Sequence, residues 1–146
     1  MKLLAFIFLF GIMICYDPNA AVNYARRYCK NYNRKYDDYS KMGGDCANFV
    51  SQCLIEGGQT FENCTNVKTY GIIAGVTSLT NCLKQKGWKE ATTKPPSFRA
   101  GYPMANVNKK NITLATSVND NIITYCSHGN DACDKILDYE VIFYYL

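Results

Sequence analysis

Histidine is nearly absent from this chain, since its 146 residues include only one, His128. A single imidazole excludes mechanisms built on two histidines and metal sites rich in histidine. No two cysteines have CxxC spacing, which argues further against zinc. We therefore expect no metal and no cofactor. Charged residues are also few, at 19%, and the net charge of +4 is too small to indicate nucleic-acid binding.

Long apolar runs are absent after residue 15. The start of the chain combines Lys2 with an uncharged apolar run over residues 3–15, which is too short to span a bilayer and is typical of a signal peptide. We therefore predict a signal peptide at 1–15 and a single domain at 16–146 that is secreted or lumenal, without stable membrane insertion. Two glycosylation sequons, at Asn63 and Asn111, agree with export.

Hydrophobic periodicity predicts helices in the first part of the chain and strands in the second. A helix of about three turns is predicted after Asp17, which serves as its N-cap and places Pro18 in the first turn. A second helix is predicted from Cys46 to Glu56 with Asp45 as its N-cap, and a third from about Ser78 to Lys86. The polar, tyrosine-rich connector at 31–42 is predicted to be a solvated loop. Strands are predicted at 102–107, 112–118, 121–126 and 141–146. This order indicates an α+β domain with N-terminal helices packed on a C-terminal antiparallel sheet.

Cysteine is the abundant reactive residue, with eight copies, of which seven remain after removal of Cys15 with the signal peptide. An odd number in an exported chain suggests that one thiol stays free. Cys46 follows Gly43-Gly44-Asp45 and opens a predicted helix. A thiol there lies near the positive end of the helix dipole, which favours the thiolate, and nearby N–H groups can bind an oxyanion. Local chemistry leaves two alternatives open, a nucleophile or a bridged or buried cysteine.

The segments 16–25 (YDPNAAVNYA) and 45–58 (DCANFVSQCLIEGG) resemble a known family. They are similar to the putative amidase domain of the papain-like cysteine amidohydrolases, which are related to CHAP-type cell-wall hydrolases. The resemblance is specific over 17–58 and looser to the end of the chain. It implies a papain-like fold with Cys46 as the nucleophile, Asp45 positioning the thiol, and the N–H of Cys46 binding the oxyanion.

The chain departs from this family at the catalytic base. Members have a histidine at the start of a strand in the sheet, where this chain has Asn111 or its neighbour Lys110. An amide is not a base near neutral pH. His128 lies one strand later, where the orienting third group of such a site is expected. Two alternatives follow: either His128 is a displaced base for Cys46, or the domain has lost efficient turnover.

A free Cys46 leaves six cysteines for three disulfides. These six cysteines are Cys29, Cys53, Cys64, Cys82, Cys126 and Cys133. Nearness along the chain favours Cys64–Cys82 and Cys126–Cys133, which leaves Cys29 with Cys53.

The sequence therefore predicts a secreted, monomeric hydrolase that uses Cys46 to cleave amide or peptide bonds, including those of bacterial cell-wall peptides. Its activity is expected to be impaired because Asn111 stands at the base position. The alternative is a non-catalytic secreted binding module, a pseudoenzyme that uses the same cleft.

Overall fold

The computed structural model describes residues 15–146. The predicted signal peptide, apart from Cys15, lies outside the described residues. Within the described part of the chain, no helix has both the length and the apolar character needed to cross a membrane.

The first helix, α1 (Pro18–Tyr28), begins where the sequence predicts. The Asp17 carboxylate accepts hydrogen bonds from the backbone N–H groups of Asn19 at 3.0 Å and Ala20 at 3.2 Å. Pro18 occupies the first turn, where its missing N–H has no partner to lose. The capping interaction of Asp17 and the position of Pro18 are therefore as the sequence predicts.

The second helix, α2 (Cys46–Glu56), is the central helix of the domain. All of its residues from Cys46 to Leu54 are buried, and it packs against α1 and the sheet. The buried Ser51 hydroxyl donates to the backbone oxygen of Ile73 at 2.8 Å and accepts from its N–H at 3.1 Å. A polar side chain thus fits this enclosed position because both of its hydrogen-bonding roles are satisfied.

The third helix, α3 (Val76–Gln85), begins two residues before the predicted start. Gly75 precedes it in an extended conformation and has no side chain with which to cap it. Two short 3-10 helices, Ser40–Met42 and Thr69–Gly71, lie in the connections before and after α2.

The second half of the described chain forms one antiparallel sheet, whose strand order is β1-β6-β2-β3-β4-β5. Its strands are β1 (Lys89–Ala91), β2 (Pro103–Asn106), β3 (Ile112–Asn119), β4 (Ile122–Ser127), β5 (Ala132–Ile136) and β6 (Val141–Tyr145). The four predicted strands are confirmed within one or two residues. The sequence missed β1 and β5, which are the two edge strands and are largely exposed, so they lack an apolar alternation.

One predicted disulfide is confirmed and two are wrong. Cys64 bridges Cys82, as predicted. Cys133 bridges Cys29 instead of Cys126, with a Cα–Cα distance of 5.6 Å. The unpredicted strand β5 explains the error, because it pairs with β4 and places Cys133 beside the end of α1.

The two cysteines left over, Cys53 and Cys126, are free and fully buried. Burial raises the pKa of each thiol above its ordinary value. Residues 16–146 therefore contain three free thiols, and the odd cysteine count alone does not single out Cys46.

Candidate functional site

The candidate site begins at Cys46, the first residue of α2. Gly43 and Gly44 have φ angles of 101° and 122°, in the region that glycine adopts without strain. This pair turns the chain from the 3-10 helix Ser40–Met42 into α2. Cys46 is only 7% exposed, yet it lines an open cleft.

The surroundings of the Cys46 sulfur act in opposite directions on its acidity. Burial is the largest effect and raises the pKa of the thiol above its ordinary value. The backbone N–H groups of Ile112, Ala47 and Cys46 itself face the sulfur and lower the pKa, whereas the nearby Asp45 carboxylate raises it. The net direction is upward, so Cys46 is protonated over more of the pH range than an ordinary thiol.

His128 is engaged by groups other than Cys46. Its Nδ1 lies 2.5 Å from Oδ2 of Asp45, and its Nε2 lies 2.7 Å from the backbone oxygen of Tyr28. A carbonyl oxygen only accepts, so Nε2 must donate its hydrogen there. With both ring nitrogens occupied, His128 has no free nitrogen to accept the proton of Cys46.

The Asp45 carboxylate belongs to the same buried network. Its Oδ1 accepts from the Tyr39 N–H at 2.9 Å and from the Asn48 side chain at 2.8 Å, and its Oδ2 faces His128. Asp45 is the residue before the first helical one, as predicted, but its side chain makes no capping bond to α2. The hydrogen-bond pattern instead defines a buried pair of Asp45 and His128 that fixes the chain immediately before Cys46.

Two aromatic rings enclose His128. The Tyr32 ring is stacked on one side, with centroids 3.7 Å apart, and the Phe49 ring on the other, at 3.9 Å. The two stacked rings leave His128 only 5% exposed. Tyr32 also donates to the backbone oxygen of His128 at 3.2 Å or to Oδ1 of Asp131 at 2.8 Å.

The sequence did not predict the part that the connector 31–42 takes in this network. Tyr32 stacks on His128, the N–H of Tyr39 binds Asp45, and the backbone oxygen of Asp37 accepts from Asn48. The segment is largely an exposed loop, as predicted, but Tyr32 and Tyr39 are half-buried and take part in the network. The concentration of tyrosine in a polar segment is the one signal that could have indicated a packing role.

Asn111 lies at the start of β3, next to Ile112, whose N–H faces the Cys46 sulfur. The backbone N–H of Asn111 donates to Oδ1 of Asn106 at 2.9 Å. Its side-chain oxygen lies against Gly129, where an added Cβ would be only 3.3 Å away. The half-buried Asn111 therefore directly precedes the residue whose N–H faces the thiol. Its amide oxygen is directed to the loop after His128.

The cleft beside Cys46 has a volume of about 450 Å³. Its walls are formed by residues 42–44 and Cys46, by residues 74–78 at the start of α3, and by Lys109 and Lys110. Lys110 is exposed and has no ion-pair partner among the described residues, whereas Lys109 lies 3.8 Å from a carboxylate oxygen of Glu90. Both lysines belong to the β2–β3 loop that Asn106 stabilises through the N–H of Lys110.

The two sequons differ in accessibility. Asn63 is exposed beside the bridged Cys64, whereas Asn111 is half-buried and the threonine of its sequon, Thr113, is buried. Glycosylation at either position stays a prediction, and Asn63 is the more accessible of the two.

The fold and the site together define an α+β domain in which a buried thiol opens a central helix beside a cleft. The family model of the putative amidase domain matches residues 15–131, and this chain belongs to that family. No curated protein and no solved structure matches the chain. Membership of the family indicates an amide substrate in general and hydrolysis of its amide bond.

Proposed function

We propose that this protein hydrolyses amide bonds through an acyl-enzyme on Cys46, and that it does so slowly because no imidazole accepts the thiol proton. The observation that supports the proposal most is the position of Cys46, which opens α2 and lines the cleft. The papain-like relationship is part of the same proposal. It is supported by a cysteine at the start of a central helix that packs on an antiparallel sheet.

The reaction follows from the groups at this position. The Cys46 thiol gives its proton to solvent, and the thiolate forms a bond to the carbonyl carbon of the amide. The N–H of Cys46 stabilises the resulting oxyanion. The C–N bond then breaks, the amine leaves with a proton from water, and a second water hydrolyses the thioester to release the acid and regenerate the thiol.

His128 and Asp45 are positioning residues in this proposal. Their hydrogen bond holds the segment before Cys46 against the end of α1, because His128 also binds the backbone oxygen of Tyr28. Asn111 takes no proton, since an amide has no basic nitrogen. Next to Asn111, the backbone N–H of Ile112 faces the sulfur and stabilises the thiolate.

The setting of the activity is also proposed. The two disulfides are compatible with an extracellular location, as is the predicted signal peptide at 1–15. Peptides of the bacterial cell wall are the substrates that the resemblance to CHAP-type hydrolases suggests. The proposed unit is a monomer formed by residues 16–146.

Replacing Cys46 with alanine tests this proposal. Hydrolysis of peptide p-nitroanilides is expected to fall by at least about 100-fold, as expected when a nucleophile is removed. The matched control is Cys126→Ala, which removes a buried free thiol that does not line the cleft. That variant should retain the wild-type rate when circular dichroism shows that both variants are folded.

Equal hydrolysis by wild type and Cys46→Ala would contradict the proposal. If wild type shows no turnover, a nitrophenyl ester should still leave an acyl group on Cys46, detectable by mass spectrometry. No turnover and no acylation would refute the proposal and favour the non-catalytic binding module.

A further inference from the structure

We propose that the cleft beside Cys46 selects acyl groups that bear a carboxylate close to the reacting carbonyl. This inference rests on the proposed function, because it specifies the substrate class of the same cleft. The positive side chains at its mouth are Lys109 and Lys110, and the described residues that line it include no acidic side chain.

Two helix N-termini meet at this cleft. Cys46 is the first residue of α2, and residues 76–78 form the first turn of α3. Neither helix has a side-chain cap, because the Asp45 carboxylate is used elsewhere and Gly75 has no side chain. Uncapped first-turn N–H groups and the positive ends of both helix dipoles therefore favour an anion in the space between them.

The Cys46 thiol adds an independent indication that the cleft takes a ligand. Cys46 is only 7% exposed and lines the cleft. Its thiol donates no hydrogen bond to any described residue. Lys109 and Lys110 of the β2–β3 loop line the same cleft as this sulfur. A carboxylate on a ligand whose carbonyl contacts the sulfur is therefore expected to be attracted to the exposed ammonium group of Lys110.

The negative groups near the cleft are already paired. Asp45 is matched by His128, and Glu90 lies 3.5 Å from Lys84 and 3.8 Å from Lys109. Lys110 has no such partner in the described residues. Lys110 is therefore the charged side chain without a partner that lines the cleft, and it is expected to contribute most to selectivity.

Two alkylating reagents that differ by one charge test this inference. Iodoacetate and iodoacetamide both react with a thiolate, so that an S–C bond forms, the C–I bond breaks, iodide leaves and the thiol proton goes to buffer. Both rates at Cys46 depend on the same thiolate fraction, so their ratio is independent of it and reports only the effect of the carboxylate. Relative to glutathione, the ratio of iodoacetate to iodoacetamide is expected to be about three- to tenfold higher at Cys46 and to fall with added salt.

Lysine variants assign the effect. Lys110→Gln should reduce the ratio toward that of glutathione, and Lys109→Gln should reduce it less. The matched control is Lys135→Gln, an exposed position on edge strand β5 that does not line the cleft. It should leave the ratio unchanged.

A ratio equal to that of glutathione, a ratio insensitive to Lys110→Gln, or no labelling of Cys46 by either reagent would overturn the inference. Alkylation needs no amide hydrolysis, so this outcome is distinct from a failure of the proposed activity. Loss of hydrolysis with a retained charge preference would refute the activity alone.

Discussion

Replacing His128 with alanine is expected to lower the free energy of unfolding by about 3–5 kcal/mol, because it leaves a buried carboxylate without its partner. The side chains of His128 and Asp45 are each 1% exposed, so water does not replace the lost interaction. The change also removes the ring between Tyr32 and Phe49, and with it two stacked contacts. Urea denaturation followed by circular dichroism measures the effect.

A double-mutant cycle separates the interaction between His128 and Asp45 from general loss of packing. His128→Gln and Asp45→Asn each break this buried pair, and the double variant His128→Gln/Asp45→Asn should lose less stability than the sum of the single changes. Additive losses, or a loss below about 1 kcal/mol in His128→Ala, would contradict a coupled buried pair at this position.

The same variant distinguishes a positioning residue from a base. In the folded fraction of His128→Gln, the alkylation rate of Cys46 at neutral pH should stay within a few-fold of wild type. A histidine that accepted the thiol proton would instead leave a much less reactive cysteine at neutral pH when removed.

Removal of the Cys29–Cys133 disulfide is expected to have the second large effect. This bridge closes a loop of 104 residues and restricts the unfolded chain far more than the Cys64–Cys82 bridge, which spans 18. Chain-entropy estimates give about 4.7 kcal/mol for a loop of this length and about 3 kcal/mol for the shorter one. The double variant Cys29→Ala/Cys133→Ala should therefore be less stable than Cys64→Ala/Cys82→Ala.

The variant Cys64→Ala/Cys82→Ala is the matched control, since it also removes one bridge and two sulfur atoms. Denaturant midpoints measured under non-reducing conditions compare the two. Equal losses, or a larger loss for the shorter bridge, would show that the Cys29–Cys133 bridge does not stabilise through the length of its loop.

The helices could be predicted from the sequence because their signals are local. Asp17 before Pro18 specifies the start of α1, and Gly57-Gly58 after an apolar stripe marks the end of α2. The edge strands β1 and β5 could not be predicted, since they are exposed and their pairing partners lie elsewhere in the chain. The disulfide of Cys133 was mispredicted for the same reason, because strand pairing decides which cysteines meet.

The site was predicted in part. The position of Cys46 at the start of α2 follows from Gly43-Gly44-Asp45, whereas the network of His128 depends on contacts across the fold. Asp45 and His128 are 83 residues apart, and Tyr32 comes from a segment whose polar composition indicates a loop. No local sequence pattern predicts a contact between residues so far apart. His128 could therefore be identified as a candidate residue, but its structural role could not be predicted.

Cys46 is expected to react without an imidazole partner. The most direct test is the rate of its alkylation by iodoacetamide as a function of pH, followed at Cys46 by peptide mass spectrometry. Burial raises the pKa of this thiol, so the thiolate is lost as pH falls through that raised value, and the rate should follow one sigmoid whose midpoint lies above that of glutathione measured in parallel. A midpoint below that of glutathione, with a reactive plateau extending into the acidic range, would reveal a thiolate–imidazolium pair and contradict the account.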